Sequence, residues 1–221
     1  MLKNDNINKV LNDNIIKKGF TKFTDVQNLV IDEKNVGRDL LVSSQTGSGK
    51  TLAYSLSISN EILIAKGKGS STPSGLIITP TRELALQVYQ EIQWLFEKTG
   101  LTAVTSIGGM DINKERAKLK RKFNLLIGTP GRINDHLRKK YLNLSKLSVL
   151  VLDEADEMLD LGFKEDLDKI IQSSPEDSRK LLFSATLPKK IISLANKYQK
   201  NPKRIEVSNQ NVPHKDISYE S

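Results

Sequence analysis

The chain has 221 residues, with 34 Lys and Arg against 26 Asp and Glu, a formal net charge of +8 at pH 7. It has no cysteine, which excludes a disulfide framework and a zinc site built on thiolates. No apolar run approaches the ~18 residues of a membrane-spanning helix, and the N-terminus lacks the apolar core of a secretion signal, so an intracellular, cytoplasmic chain without membrane contact is expected.

The length suits one domain with a core of its own. A basic balance favours an anionic partner, nucleic acid or an anionic membrane, without choosing between them. The two histidines, His136 and His214, lie far apart in sequence, which argues against a histidine metal site. Ile7, Val10, Leu11 and Ile15 share one face of a first helix, and Gly19 stands where a C-terminal cap belongs. Short apolar runs then recur at 39–43, 75–79, 101–105, 124–127, 148–152, 180–183 and 204–207. Several are apolar throughout, the signature of strands buried on both faces. Helical patterns lie between them, at Leu52, Leu56, Ser59 and Leu63, at Leu84, Val88, Ile92 and Leu95, and at Ile191, Ile192, Leu194 and Ala195. The alternation predicts an α/β fold with a mostly parallel central sheet sandwiched by helices. Residues 66–74 read as a loop and 208–221 as a linker or tail. Ligands of such sheets bind at the carboxyl ends of the strands, so the residues just after each strand matter most.

Strand 39–43 runs into Ser44-Gln45-Thr46-Gly47-Ser48-Gly49-Lys50-Thr51 and then a helix, the context of a phosphate-binding P-loop. Gly47 and Gly49 let backbone N–H groups curl around phosphate, Lys50 would reach the β and γ phosphates, and the Thr51 hydroxyl would ligate Mg²⁺. Strand 148–152, expected next to the P-loop strand, ends in Asp153-Glu154-Ala155-Asp156. Asp153 suits the metal and Glu154 the attacking water. The same acids also suit a plain helix N-terminus, where the dipole favours negative charge.

Residues 153–156 spell DEAD, and the chain resembles the N-terminal RecA-like domain of DEAD-box RNA helicases from about residue 2 to about residue 210. Gly19-Phe20 through Thr24 and Gln27 resembles the Q motif, 44–51 motif I, Pro80-Thr81-Arg82-Glu83-Leu84-Ala85 motif Ia, Gly108-Gly109 the GG element, Thr129-Pro130-Gly131-Arg132 motif Ib and Ser184-Ala185-Thr186 motif III. Phe23 stands where the family usually has proline, and Leu2 where an upstream aromatic is common.

The resemblance implies ATP with Mg²⁺, bound by Phe20 stacking on adenine, Gln27 on the base edge, and Gln45, Thr46, Gly47, Ser48, Gly49, Lys50 and Thr51 on phosphates and metal. It implies RNA held through its sugar–phosphate backbone by Pro80, Thr81, Arg82, Gly108, Gly109, Thr129, Pro130, Gly131 and Arg132. Asp156, Ser184 and Thr186 would couple nucleotide state to domain arrangement. Read without the resemblance, Phe20 is also a core aromatic, and Arg82 and Arg132 could pair with strand-end carboxylates. Lys114, Lys118 and Arg121 share a helical face that reads as solvated, with extra RNA contact as the alternative, as does Arg138-Lys139-Lys140; Ile112, Leu119 and Phe123 share another face. His136 reads as incidental, and Trp94, inside a helix over 82–98, as packing.

The family joins two RecA-like domains in one chain. Residues 1–207 are expected to form the first and 208–221 to open the linker to a second, absent here, that carries the arginine finger. A monomer is expected. A DNA translocase of the same superfamily and a non-catalytic RNA-binding module are the rival readings.

Overall fold

The computed structural model describes residues 7–64 and 72–207. Leu2, most of the 66–74 loop, His214 and the expected linker at 208–221 lie outside the described residues. Helix α1 (Lys9–Lys17) starts at Asn8, whose side chain accepts from the Val10 N–H, and Gly19 follows it at φ +94°. Helix α2 (Asp25–Val30) begins with a capping box. Thr24 accepts from the Gln27 N–H, and the Gln27 side chain accepts from the Thr24 N–H.

The strands are β1 (Leu40–Ser44), β2 (Gly75–Ile78), β3 (Ala103–Ser106), β4 (Leu125–Gly128), β5 (Val149–Leu152), β6 (Arg179–Ser184) and β7 (Lys203–Val207). They form one sheet in the order β3-β4-β2-β5-β6-β1-β7, with every neighbouring pair parallel. All residues of β2, β4, β5 and β6 are buried, which is why the β2, β4 and β5 runs carry no polar side chain, while β6 buries Arg179, Lys180 and Ser184 with its apolar residues.

Alternate side chains enter two separate cores. Leu40, Val42, Ile77, Val149 and Val151 face one core, shared with α1, α2, α3 (Lys50–Ser57), α4 (Ser59–Ile64) and α5 (Arg82–Leu95). Leu41, Leu76, Ile78, Leu150 and Leu152 face the other, shared with α6 (Ile112–Leu119), α7 (Pro130–Arg138), α8 (Ala155–Asp160), α9 (Lys164–Gln172) and α10 (Lys189–Tyr198).

Four sequence expectations need correction. The helix after the P-loop is broken at Ile58 into α3 and α4, where the Ser59 hydroxyl donates to the Leu56 carbonyl at 2.7 Å. Helix α6 ends at Leu119, so Arg121 and Phe123 lie beyond it and do not continue its faces. Strand β5 is not next to the P-loop strand β1, because β6 lies between them. Helix α5 also stops at Leu95, short of the expected 98, and Lys98 turns to φ +63°.

Candidate functional site

The P-loop leaves β1 and enters α3 through Gly47 at φ +76° and Gly49 at φ +88°, backbone conformations that L side chains rarely adopt. Gln45, Thr46 and Gly47 are exposed, Ser48, Gly49 and Thr51 half-buried, and Lys50 buried. Lys50 Nζ donates to the Ser44 carbonyl at 2.9 Å, so its ammonium already lies inside the loop. The Ser44 and Ser48 hydroxyls lie 2.9 Å apart.

The Q-motif residues clasp this loop from outside. Thr24 Oγ1 donates to the Ser48 carbonyl at 2.9 Å, and Gln27 Nε2 to the Gly49 carbonyl at 3.2 Å. Gln27 is buried, and its Oε1 accepts from the Thr24 N–H at 2.9 Å. Both ends of the amide are therefore engaged with protein. A Cβ at Gly49 would collide with Gln27 Nε2, which fixes glycine there. Phe20 stacks on Trp94 with ring centroids 5.9 Å apart, and Lys18 Nζ lies over the indole.

The acidic residues follow β5. Asp153 is 2 % exposed; its Oδ2 accepts from the Tyr54 hydroxyl at 3.0 Å and its Oδ1 from the Glu154 N–H at 3.0 Å. Burial pushes the Asp153 carboxyl up, against the opposing pull of the Lys50 charge. Tyr54 spans the distance left by the intervening β6. It lies four residues after Lys50 in α3, on the same helix face, and that spacing was the sequence signal for it. Burial, then the Asp153 charge, raises the Tyr54 hydroxyl well above its ordinary range, so it remains a donor.

Glu154 caps α8 in the left-handed conformation, at φ +51°. A non-glycine residue held there costs about 1–3 kcal/mol and marks a site that the surrounding fold over-determines. Burial, a hydrogen bond with Glu157 and the Asp153 and Glu157 charges raise its carboxyl to about 7. Two residues on, Asp156 Oδ2 accepts from the Thr186 N–H at 3.2 Å and its hydroxyl at 3.1 Å. Burial acts to raise the Asp156 carboxyl, but hydrogen bonds from Ser184 and Thr186 outweigh it and hold it low. The Ser184 hydroxyl also donates to the Thr186 carbonyl at 2.6 Å, and Ser43 on β1 donates to the Ala185 carbonyl at 3.2 Å.

The residues expected to face RNA gather at the ends of β2, β3 and β4. Pro80, Thr81, Arg82, Gly108, Gly109, Thr129, Gly131 and Arg132 line one open depression of about 550 Å³. Pro130 is not among its walls; it is buried in the first turn of α7. Asp135 and Phe163, which the sequence did not single out, also line the depression. The Arg82 guanidinium lies against Gly108 and Gly109, and a Cβ at Gly109 would collide with it. The Gly108 N–H donates to Thr129 Oγ1 at 3.3 Å, joining the two loops.

Arg132 is paired, though with a carboxylate of helix α6 rather than one at a strand end. Its NH1 donates to the Met110 carbonyl and to Glu115 Oε2, both at 2.9 Å, and only 11 % of its side chain is exposed. His136, read from sequence as incidental, is fully buried and lies 2.8 Å from the same Glu115 oxygen. Glu115 Oε1 accepts from the Ile107 N–H at 3.0 Å. One carboxylate thus ties the loop after β3 to the start of α7. Burial acts to raise Glu115, but the bonds from His136, Ile107 and Arg132 outweigh it and hold it below its ordinary value.

Glu115→Ala would leave His136 Nε2 without its partner and Arg132 with the Met110 carbonyl but no counter-charge, a loss of about 3–5 kcal/mol for a broken buried pair. Urea unfolding should show that loss at pH 7. A group with a lowered folded pKa stabilises above its unfolded value, so the difference between variant and unmodified chain should shrink on acidification. A loss under about 1 kcal/mol at pH 7 would remove Glu115 as the tie.

A family profile described as DEAD/DEAH box helicase matches residues 24–194, more than half of the chain. The chain belongs to the DEAD/DEAH box helicase family. Among similar proteins, the ATP-dependent RNA helicase DbpA of Bacillus subtilis is 41% identical over 201 residues, covering 91% of this chain and 41% of that protein. The DEAD-box ATP-dependent RNA helicase RhpA of Helicobacter pylori is 39% identical over 204 residues, covering 92% of this chain and 40% of that protein. A DEAD box protein from the hyperthermophile Methanococcus jannaschii superposes with a TM-score of 0.80 at 36% identity, over 92% of this chain and 55% of that one. The chain thus spans about two-fifths of the length of these curated helicases, and it has the RecA-like α/β fold of the DEAD box structure. Among the described residues, no helix is long and apolar enough to cross a membrane.

Proposed function

We propose that this chain is the ATP-binding, N-terminal RecA-like part of an ATP-dependent RNA helicase, acting with a second RecA-like domain on the same polypeptide. Residues 1–207 form the domain, 208–221 begin the linker, and the protein works as a monomer in the cytoplasm. The observation that carries this reading is the convergence of the P-loop with the β5 acids, where Tyr54 of the P-loop helix holds Asp153.

Lys50 exchanges its bond to the Ser44 carbonyl for the β and γ phosphates, while the N–H groups of Thr46 to Thr51 surround them. Gln27 exchanges the Gly49 carbonyl for the adenine edge, and Phe20 offers the base a ring backed by Trp94. The Thr51 hydroxyl would give Mg²⁺ an oxygen directly and Asp153 would hold the ion through water. The ion neutralises charge on the phosphates when bound. Glu154, with its carboxyl near 7, orients and deprotonates the attacking water. Asp156, Thr186 and Ser184 carry the change at the phosphates to the loop after β6.

Arg82, Thr81, the Gly108 and Gly109 backbone, Thr129 and Gly131 hold the RNA backbone, with Arg132 as the support behind them. Contacts to phosphate and sugar position a strand without reading its sequence, so binding is nonspecific and falls with salt.

Base choice tests the nucleotide half of this reading. The chain should bind ADP more tightly than GDP in calorimetry, because guanine presents the opposite donor and acceptor to Gln27. Gln27→Ala loses a buried bond worth ~1–3 kcal/mol and should weaken ADP by roughly tenfold or more. Equal affinity of the unmodified chain for ADP and GDP would overturn the assignment of Phe20 and Gln27.

A further inference from the structure

The net positive charge of this chain falls within one stretch of its sequence. Residues 111–146 hold eleven Lys and Arg against three Asp and Glu, a surplus of eight that equals the net charge of the whole chain, and the other residues balance at 23 to 23. Ten of the eleven cations are exposed, the exception being Arg132. Of the three acids, Asp111 caps α6, Asp135 pairs with Arg138, and Glu115 is buried against Arg132 and His136. Among the described residues, none of the other nine exposed cations makes an ion pair with an acid.

These cations lie on elements that pack against the same core. Lys114, Arg116 and Lys118 lie on α6, Lys120, Arg121 and Lys122 on the turn after it, and Arg138, Lys139 and Lys140 at the end of α7. The Arg116 guanidinium sits 4.5 Å from the Tyr141 ring, which joins α6 to the segment after α7. At one end these elements meet the depression at the strand ends, where Arg132 holds both the Met110 carbonyl and Glu115 of α6. At 1.5 Å per residue, α6 is ~12 Å long.

We propose that this flank is a second RNA-binding tract, which holds the phosphate backbone of a strand after it leaves the depression. The inference rests on reading the depression as the RNA groove. RNA is favoured over other anionic partners because these elements adjoin that groove at Arg132. Exposed, unpaired lysines and arginines on a helix gain from phosphates through release of counterions rather than through shape. The tract reads no sequence. It adds length-dependent affinity to a groove that is otherwise short.

The test uses fluorescence anisotropy with a labelled short single strand and one about ten nucleotides longer, which adds ~34 Å at 3.4 Å per nucleotide. The variant is Lys118→Gln, Arg121→Gln, Lys139→Gln and Lys140→Gln together. It should bind the long strand at least tenfold more weakly. Its plot of log affinity against log salt should be shallower by about two to three, at ~0.7 per neutralised phosphate. Short-strand affinity, ADP affinity and the melting temperature should be unchanged. An unchanged long-strand affinity and slope would overturn the tract, and so would equal losses for both strands. So would loss of binding to vesicles containing phosphatidylserine with RNA affinity kept, since the flank would then face a membrane.

Arg82→Gln, measured in parallel, separates the two readings. It should weaken the short strand while the flank variant does not. If Arg82→Gln costs nothing and the flank variant still loses the long strand, the groove reading fails and the tract stands. If the unmodified chain binds neither strand, both fall.

Discussion

Lys50→Ala is expected to weaken ATP binding at least about 100-fold. The lysine is 6 % exposed and its ammonium is held inside the loop by the Ser44 carbonyl, which is where the proposed phosphate role needs it. Hydrogen bonds to charged groups contribute about 1.5–3 kcal/mol each. Losing contacts to two phosphates therefore removes about two or more factors of ten, at 1.4 kcal/mol per factor. The Ser44 carbonyl also loses its partner, so a small loss of thermal stability should accompany the change, with the circular dichroism spectrum retained. Calorimetry with ATP and Mg²⁺ checks it. An affinity within tenfold of the unmodified chain would mean that Lys50 is a structural lysine of the loop and not a phosphate ligand.

The second large effect concerns hydrolysis in the chain once joined to a second RecA-like domain. Glu154→Gln should keep ATP binding within a few-fold and slow turnover by about 10²–10⁴, the usual contribution of a positioned acid or base. Glutamine preserves size and the left-handed cap at φ +51°, and Asp153 keeps its bonds to Tyr54 and to the backbone of residue 154. The group that disappears is a carboxylate whose surroundings hold it near neutrality. Single-turnover hydrolysis separates the two steps. Normal turnover by the glutamine variant would remove Glu154 from the chemistry.

Much of the framework could be read from the residues alone. The runs that became β2 and β5 are apolar throughout because both faces are buried, and no other local structure needs that pattern at such short length. Gly47-Ser48-Gly49-Lys50-Thr51 stood out because positive φ at Gly47 and Gly49 and a lysine at the helix start can be recognised from residue type. Partners across the sheet were not readable. A periodic stripe says which face of a helix is buried but not what it meets, so the Tyr54–Asp153 and Glu115–His136 contacts went unseen. The position of β6 between β5 and β1 is a property of the whole sheet. Helix α6 ended early because its last turn is closed by Lys120 N–H bonds to Arg116 and Lys118, while Phe123, which continues the apolar period, reaches the second core from the turn beyond. Gln27 shows a subtler limit. Its residue type suits a base edge, yet in this structure its amide closes the capping box of α2 and holds the P-loop at the Gly49 carbonyl, and no motif pattern records the second contact.

Steady-state ATPase of residues 1–221, with and without saturating single-stranded RNA, bears most directly on the central claim that this is one half of a two-domain helicase. Residues 7–64 and 72–207 hold Lys50, Asp153, Glu154 and the open depression, the groups proposed for phosphate, metal, water and one wall of an RNA groove. An arginine finger from the second domain is worth ~10³–10⁵ in phosphoryl transfer. The 221-residue chain should therefore bind nucleotide, turn over very slowly and show no stimulation by RNA, and joining a second RecA-like domain to it should restore turnover and its dependence on RNA. Several-fold stimulation of the 221-residue chain by RNA, free of contaminating ATPase, would contradict this and make it a complete enzyme.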